Sequence, residues 1–264
     1  MSVQLQLKKF NMEQMTDNRV VVVVAKRGSG KSFLVRDIMY HKRHMPDGIV
    51  FSATEESNSF WSNHIPDSYI YDGFDSATLE AFVKRQKKRA RHGSQAPSFL
   101  MLDDCAFDKS FTKDKALRSI FFNGRHWRIL LIMTLQYALD LTPDMRSNVD
   151  FVFVLRENII QNRERLYRNF FGIFATFDAF CSVLDQTTEN YECLVLDNTV
   201  QSNRIEDCVF WYKAEEHPRF RVGSDSYWAY HLENYQPDAD SDEDEQMSRR
   251  NVVQVTKTGV KVRR

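Results

Sequence analysis

Residues 20–32 read Val-Val-Val-Val-Val-Ala-Lys-Arg-Gly-Ser-Gly-Lys-Ser. The five valines are β-branched and apolar without alternation, which is typical of a strand buried on both faces of a parallel sheet. A glycine-containing turn ends this run, and apolar residues at helical spacing follow over residues 33–40. A strand, a glycine loop and a helix start in this order predict a phosphate-binding loop.

The residue types in the loop fit that chemistry. Gly28 and Gly30 let backbone N–H groups turn towards phosphate oxygens without a Cβ in the way. Lys31 brings a charge to the β- and γ-phosphates, and Ser32 offers a hydroxyl to Mg²⁺. The valine strand and the Lys-Ser pair favour this site over an ordinary glycine turn, although Ala25 stands where the usual pattern has glycine. We expect a nucleoside triphosphate to bind at Ala25, Lys26, Arg27, Gly28, Ser29, Gly30, Lys31 and Ser32.

A pair of carboxylates supplies the second signal of a nucleotide site. The apolar run at 99–102 leads directly into Asp103 and Asp104. A buried strand would deliver them at its carboxyl end, where ligands lie in open α/β sheets. Asp103 would then hold Mg²⁺ through water, and Asp104 would orient or deprotonate the attacking water. Acidic residues commonly follow strands, so the pair alone is a weak signal. It becomes informative because a phosphate loop precedes it in the same domain, and the loop and the pair together predict hydrolysis.

Gln136 follows a third apolar run, at 129–134, which predicts another doubly buried strand. Its amide can point at a γ-phosphate or a catalytic water, or Gln136 can be an ordinary polar residue capping a loop. The sequence leaves both interpretations open.

Composition narrows the setting without naming a partner. Lys+Arg and Asp+Glu both number 36 in the 264 residues, so only local charge is informative. The chain has no apolar run long enough for a transmembrane helix, which predicts no stable membrane insertion, and its first residues do not resemble a secretory signal. Its four cysteines are scattered without Cys-x-x-Cys or paired histidine spacing, which predicts a reduced intracellular setting and no structural zinc.

A dense basic run at residues 84–92 marks the predicted end of a helix that Ser76 would cap and Gly93 would close. Cations suit a helix carboxyl end, so the run can be a solvated helix terminus. Its charge density equally suits contact with nucleic-acid phosphates, and charge alone does not separate the two interpretations.

Strands alternate with helices along the chain, which predicts an α/β fold with a mostly parallel, doubly wound sheet. The pattern then predicts a helix at 158–171, with Gly172 as its cap, and a second helix at 176–185. Two late strands follow, at 191–196 and 207–212, joined as a hairpin. After residue 235 an acidic block precedes a basic end. We therefore predict an ATPase domain at 1–235 and a charged, disordered tail at 236–264.

The loop at 28–32, the Asp103-Asp104 strand end and Gln136 resemble the FtsK–HerA class of P-loop ATPases. More narrowly, the chain resembles the poxvirus-type genome-packaging ATPases of large double-stranded DNA viruses, over most of residues 15–223. The supporting stretches are Phe-Ser-Ala-Thr at 51–54 with Asn58 and Trp61 behind it, Gly-Arg-His at 124–126, Thr-Pro-Asp-Met-Arg-Ser-Asn at 142–148, Cys-Leu-Val-Leu-Asp-Asn-Thr at 193–199 and Val-Phe-Trp-Tyr-Lys-Ala at 209–214.

This resemblance implies a RecA/ASCE-like P-loop NTPase fold, a three-layer sandwich whose sheet places the Gln136 strand between the loop strand and the Asp103 strand. Gln136 would then act as a γ-phosphate sensor. Family members work as homo-oligomeric rings with an arginine finger in trans, a role that Arg125 fits best, with Arg128 and Arg146 in reserve. The implied ligands are ATP and Mg²⁺, and the implied partners are double-stranded DNA, bound without sequence preference, and a capsid or portal-vertex component. The implied location is the viral factory in the host-cell cytoplasm, and the virion.

Other functions remain open on the sequence alone. A nucleotide or nucleoside kinase has similar size and sheet, but no Arg-rich lid follows the core, and Asp103-Asp104 suits water activation better. A GTPase switch would need an Asn-Lys-x-Asp stretch, which the chain lacks. A structural component that binds ATP without turnover is the third alternative.

Overall fold

A nine-stranded sheet runs through the computed structural model, which describes residues 5–55, 59–105, 111–136 and 141–235. Its strands are β1 (Lys8–Lys9), β2 (Val20–Val24), β3 (Asp47–Ser52), β4 (Ile70–Tyr71), β5 (Ser98–Asp103), β6 (Ile129–Leu135), β7 (Phe151–Val154), β8 (Glu192–Asp197) and β9 (Val209–Lys213). The helices are α1 (Lys31–His41), α2 (Ser76–Arg91), α3 (Lys115–Asn123), α4 (Pro143–Arg146), α5 (Ile160–Asn169), α6 (Phe177–Thr187), α7 (Ile205–Cys208) and α8 (Asp225–Asn234). The predicted tail at 236–264 lies outside the described residues.

The strand order is β1-β9-β8-β7-β2-β6-β5-β3-β4. Every pair from β7 through β2, β6, β5 and β3 to β4 is parallel, while β8 runs antiparallel to both β7 and β9. The predicted mostly parallel α/β sheet is therefore confirmed. So is the position of β6 between β2 and β5, which the family resemblance implied.

The valine strand separates the two apolar layers of the core. Val20, Val22 and Val24 pack into one cluster with residues of α2, α3, α5 and α6, whereas Val21 and Val23 pack into another with residues of α1 and α8. Because side chains alternate along a strand, a strand covered by helices on both faces needs apolar residues at every position. The run of valines thus specifies the middle of a three-layer sandwich.

Helix α2 begins and ends in ways the sequence predicted only in part. Asp75 caps it, accepting a hydrogen bond from the Thr78 amide at 2.7 Å, so the predicted Ser76 cap is wrong. The Ser76 hydroxyl instead donates to Asp114, ahead of α3. Gly93 closes the helix as predicted, with a left-handed φ of +77° that glycine adopts without a Cβ clash.

The later elements differ in detail from the prediction. Residues 207–208 belong to the short helix α7 rather than to a strand, and β9 starts at Val209. The β8–β9 pair is antiparallel, as a hairpin requires, with α7 inserted in its connection. Helix α5 stops at Asn169 with Phe170 at its cap, so Gly172 lies beyond it. Within the described ranges, no helix combines the length and apolar character needed to cross a bilayer.

Candidate functional site

The predicted phosphate loop connects β2 to α1 at the carboxyl edge of the parallel strands. Asp103 ends β5 at this edge, and Asp104 follows it. Gln136 directly follows β6, the strand between β2 and β5, and its side chain is exposed. The fold therefore brings three separate sequence signals to one edge of the sheet. This is where ligands bind in open α/β sheets.

The loop geometry suits an anion. Gly28 and Gly30 have φ values of +76° and +96°, in the left-handed region that non-glycine residues rarely adopt. The Ser29 hydroxyl donates to the Lys26 carbonyl at 2.7 Å and tightens the turn. Gly30 is the N-cap of α1 and has no side chain to cap it, so the first-turn amides are available to a phosphate.

Ala25 replaces the expected glycine without distorting the loop. Its amide donates to the Leu135 carbonyl at 2.9 Å, which extends the pairing of β2 with β6 by one residue. Non-glycine residues with left-handed backbone occur at five described positions, and Ala25 is not one of them. Since this position does not need positive φ, alanine fits there.

Lys31 and Asp104 form an ion pair at the mouth of the site. The Lys31 ammonium contacts Oδ1 of Asp104, and both side chains are largely shielded from solvent. Asp104 has a left-handed φ of +53°, which aspartate tolerates better than most residues. Its amide donates to the Thr134 hydroxyl of β6 at 2.9 Å, and this bond holds the unusual backbone.

Asp103 is buried and fixed from two directions. Its Oδ1 accepts a hydrogen bond from the Thr134 hydroxyl at 2.8 Å, and its Oδ2 accepts one from the Trp61 indole at 3.1 Å. Burial raises the pKa of Asp103, while the Lys31 charge and the bonds from Thr134 and Trp61 oppose that rise. The neighbouring side chains therefore hold the Asp103 carboxylate in one orientation.

The residues present fit Mg²⁺. A carboxylate has about four lone-pair sites, so Asp103 can accept further bonds beside those from Thr134 and Trp61. The Ser32 hydroxyl lies exposed on the first turn of α1, and oxygen ligands of this kind are those that Mg²⁺ prefers. Ser52, the register partner of Asp103 on β3, has a buried hydroxyl without a hydrogen-bond partner among the described residues. A metal-bound water would satisfy it.

Three residues at this edge had no predicted role. Thr134 links Asp103 to Asp104, and the only signal for it was a polar residue inside a buried apolar run. Trp61 was part of the family resemblance, but its contact with Asp103 spans 42 residues and no local pattern shows it. Tyr191 is 71% exposed, and its Cδ1 lies 3.1 Å from where a Cβ on Gly30 would be, so an aromatic ring borders the loop.

Arg125 lies at the opposite edge of the sheet. Its guanidinium, about half exposed, contacts the buried carboxylate of Asp150, which also accepts a hydrogen bond from the Val20 amide at 2.9 Å. The seven residues of β6 lie between Arg125 and Gln136, and they span roughly 23 Å at about 3.3 Å per residue. Arg125 therefore does not reach the site of its own subunit, and its role in a neighbouring site stays a prediction.

The two reserve arginines have structural contacts as well. The Arg146 guanidinium donates to the Leu141 carbonyl at 2.6 Å, and burial lowers the pKa of Arg146. The Arg128 carbonyl accepts a hydrogen bond from the Ser98 amide at the start of β5.

The basic run of α2 divides into two sets of side chains. Arg85 and Arg89 contact the Asp47 carboxylate at 2.8 and 2.6 Å and fasten α2 to β3. The others face a groove of about 880 Å³ between α2 and α3, to which Glu80 and Asp114 also contribute. We call this the basic groove; its exposed cations are Lys84, Lys88, Arg91, Lys113 and Lys115.

The chain is similar to several known viral proteins. The profile of the family described as "Poxvirus A32 protein" matches residues 7–217. A protein of Acanthamoeba polyphaga mimivirus is 37% identical over 243 residues, covering 88% of this chain and 85% of the relative. A protein of Invertebrate iridescent virus 3 is 38% identical over 215 residues, covering 80% and 82%.

Among solved structures, the genome packaging NTPase B204 from Sulfolobus turreted icosahedral virus 2, in complex with ATP-gammaS, superposes with a TM-score of 0.55. It is 18% identical, and the match covers 75% of this chain and 98% of B204. At this identity the likeness concerns the fold.

Proposed function

Because the chain belongs to the Poxvirus A32 protein family, we propose that it is an ATP-hydrolysing motor that translocates viral double-stranded DNA into the capsid. The observation that carries this proposal is the meeting of Lys31, Asp103 and Asp104 at the carboxyl edge beside the glycine loop. The B204 protein, which shares the fold, is described as a genome packaging NTPase and was solved with an ATP analogue.

Nucleotide binding begins with an exchange of partners at Lys31. The loop amides and the open first turn of α1 receive the phosphates, and the Lys31 ammonium turns from Asp104 to the β- and γ-phosphate oxygens. The Asp104 carboxylate is thereby released. The binding of ATP thus frees the carboxylate that accepts a proton from the attacking water.

Ser32 and Asp103 would hold Mg²⁺, which when bound supplies positive charge against the phosphates. Thr134 and Trp61 keep the Asp103 carboxylate oriented for this role. Asp104 takes the proton of the attacking water. Gln136 orients that water, and Arg125 of a neighbouring subunit stabilises the transition state. These roles require a homo-oligomeric ring.

Tyr191 supplies the platform for the adenine base. Its exposed ring borders Gly30 at the mouth of the loop, and stacking on an aromatic ring is worth about 1–3 kcal/mol per base. Tyr191→Ala is expected to weaken ATP binding about tenfold, while Tyr191→Phe keeps the affinity. Titration with tripolyphosphate, which has no base, provides the control: it should bind both variants like the wild type. An equal loss for tripolyphosphate would show that Tyr191 only shapes the loop.

The basic groove contacts the phosphates of DNA without reading bases. Its cations come from two helices, and neither Lys84, Lys88 nor Arg91 has an ion-pair partner within the described residues. Arg89 is excluded from this surface, because it is paired with Asp47.

One experiment tests function and groove together: ATP hydrolysis is measured against double-stranded DNA concentration at several salt concentrations. Wild-type turnover should rise with DNA of any sequence. The triple variant Lys84→Gln, Lys88→Gln and Arg91→Gln should need more DNA for the same stimulation. The slope of its log DNA affinity against log salt concentration should become shallower by about one unit per phosphate contact removed. Its hydrolysis without DNA should not change, because α2 and α3 cover one face of the sheet, whereas α1, which follows the phosphate loop, covers the other.

A charge-matched control changes three exposed arginines elsewhere, at Arg165, Arg168 and Arg204, to glutamine. This control should behave like the wild type. Equal losses in both triple variants would assign the effect to net charge rather than to the groove. A requirement for a phosphate acceptor instead of DNA would make the protein a kinase, and tight binding without turnover would make it a structural component.

A further inference from the structure

A buried carboxylate of α1 lies beside two imidazole rings, one from the same helix and one from the segment after β9. Asp37 is wholly buried on α1, and its Oδ1 contacts Nε2 of His217, which follows β9. Nε2 of His41, one turn further along α1, lies 3.7 Å from the same oxygen. The three ligand-type atoms all lie within 4.8 Å of one another.

The cluster has a deficit of positive charge. Within the described residues, Asp37 makes ion pairs only with His41 and His217, and no lysine or arginine pairs with it. A buried carboxylate without a permanent cation is costly. A metal cation would satisfy both the carboxylate and the rings.

The surroundings hold these side chains in place. The Tyr212 hydroxyl of β9 donates to Oδ2 of Asp37 at 2.6 Å and leaves Oδ1 to the histidines. The His217 ring stacks on Tyr40, with centroids 3.6 Å apart and planes within 7°. Hydrogen bonds and packing of this kind orient the ligands of metal sites and tune their affinity.

From these contacts we infer that Asp37, His41 and His217 form a binding site for a divalent transition-metal ion, with Zn²⁺ as the best match to two imidazoles and one carboxylate. Metal–ligand bonds of about 2.0–2.2 Å put tetrahedral ligand atoms about 3.3 Å apart. Ring rotations that move the imidazole nitrogens by roughly 1 Å would bring the three ligand atoms to that spacing. His41 is partly exposed, which leaves the fourth position to water.

The site joins α1 to the segment after β9 and braces the helix that presents Lys31 and Ser32. The sequence predicted no structural zinc because its cysteines are scattered, and three of them are indeed buried. Burial raises the pKa of Cys105 to about 12, so its thiol is a poor ligand. The histidine–aspartate set escapes sequence inspection because Asp37 and His217 are 180 residues apart.

The test is titration of the full-length, nucleotide-free protein with Zn²⁺ by calorimetry, and with Co²⁺ by visible absorption. One equivalent should bind, Zn²⁺ should raise the thermal midpoint, and Co²⁺ should show ligand-field bands without a thiolate charge-transfer band. His41→Gln and His217→Gln should each weaken binding by about a hundredfold or more and abolish the rise in midpoint. Both substitutions keep a polar side chain, and circular dichroism checks that each variant is folded.

His44→Gln is the matched control, because His44 is exposed and pairs with Asp17 outside the cluster. It should bind Zn²⁺ like the wild type. The proposal is overturned if wild-type protein binds no Zn²⁺, if both cluster variants bind it unchanged, or if Co²⁺ gives a thiolate band that places the ion on cysteine. None of these readouts depends on ATP hydrolysis, so the outcome is separate from the proposed motor function.

Discussion

Asp104→Asn protein is expected to bind ATP at least as tightly as the wild type and to hydrolyse it more slowly by about a hundredfold or more. Asparagine has nearly the shape of aspartate, so the left-handed backbone and the bond to Thr134 should persist. It cannot take a proton from water, and it removes the charge that holds Lys31 before ATP arrives. Binding therefore survives while the chemical step fails.

Affinity for a fluorescent ATP analogue and single-turnover hydrolysis at saturating ATP separate the two effects. Lys31→Ala provides the opposite pattern, since it deletes the charge at the phosphates and should lose binding itself. Asp72→Asn, at an exposed turn, is the control for a lost carboxylate and should leave both quantities unchanged. Near-normal hydrolysis by Asp104→Asn would remove Asp104 from the role of base.

Thr134 of β6 connects the two aspartates of the site. The Thr134 hydroxyl donates a hydrogen bond to the Asp103 carboxylate, and its oxygen accepts one from the Asp104 backbone amide. This link comes from β6, the strand between the loop and β5, and it explains why the order of strands matters to the chemistry. With β6 between β2 and β5, Thr134 holds Asp103 and Asp104 in a fixed position relative to the loop that follows β2.

The features that the sequence predicted correctly are formed by residues that are neighbours along the chain. The valine strand, the loop and the runs before Asp103 and Gln136 are contiguous, so their order along the chain gives their edge of the sheet. Elements without a strong pattern escaped prediction: β1 has two residues, and α8 carries little amphipathic contrast. The cap of α2 was wrong by one residue because Asp and Ser are both good caps and stand side by side.

Contacts between distant residues were beyond reach for a different reason. The indole of Trp61 on Asp103, the ring of Tyr191 beside Gly30 and the salt bridges from α2 to Asp47 depend on how layers pack. A charge run shows where cations are, not which of them already have partners. Only the fold separates Arg89 from Lys88.

Arg125→Ala is expected to reduce DNA-stimulated hydrolysis by about a thousandfold, because a finger supplied in trans stabilises charge on the γ-phosphoryl oxygens. If Arg125 is the finger, it must act in trans, because it lies at the strand edge away from its own loop. Head-to-tail packing in a ring puts a surface remote from one site against the site of the next subunit. Arg125 is about half exposed, so a neighbour can reach it.

Arg125 also contacts Asp150, and a loss of activity could come from disturbing that buried carboxylate rather than from the neighbour's site. Arg19→Ala separates the two causes, because Arg19 pairs with the same Asp150 at 3.5 Å and should keep its activity. The decisive measurement mixes Arg125→Ala with Lys31→Ala protein. Each is inactive alone, but a mixed ring places an intact Arg125 beside an intact loop, so partial hydrolysis should return. Full activity of Arg125→Ala by itself would refute the assignment and move the search to Arg128 and Arg146.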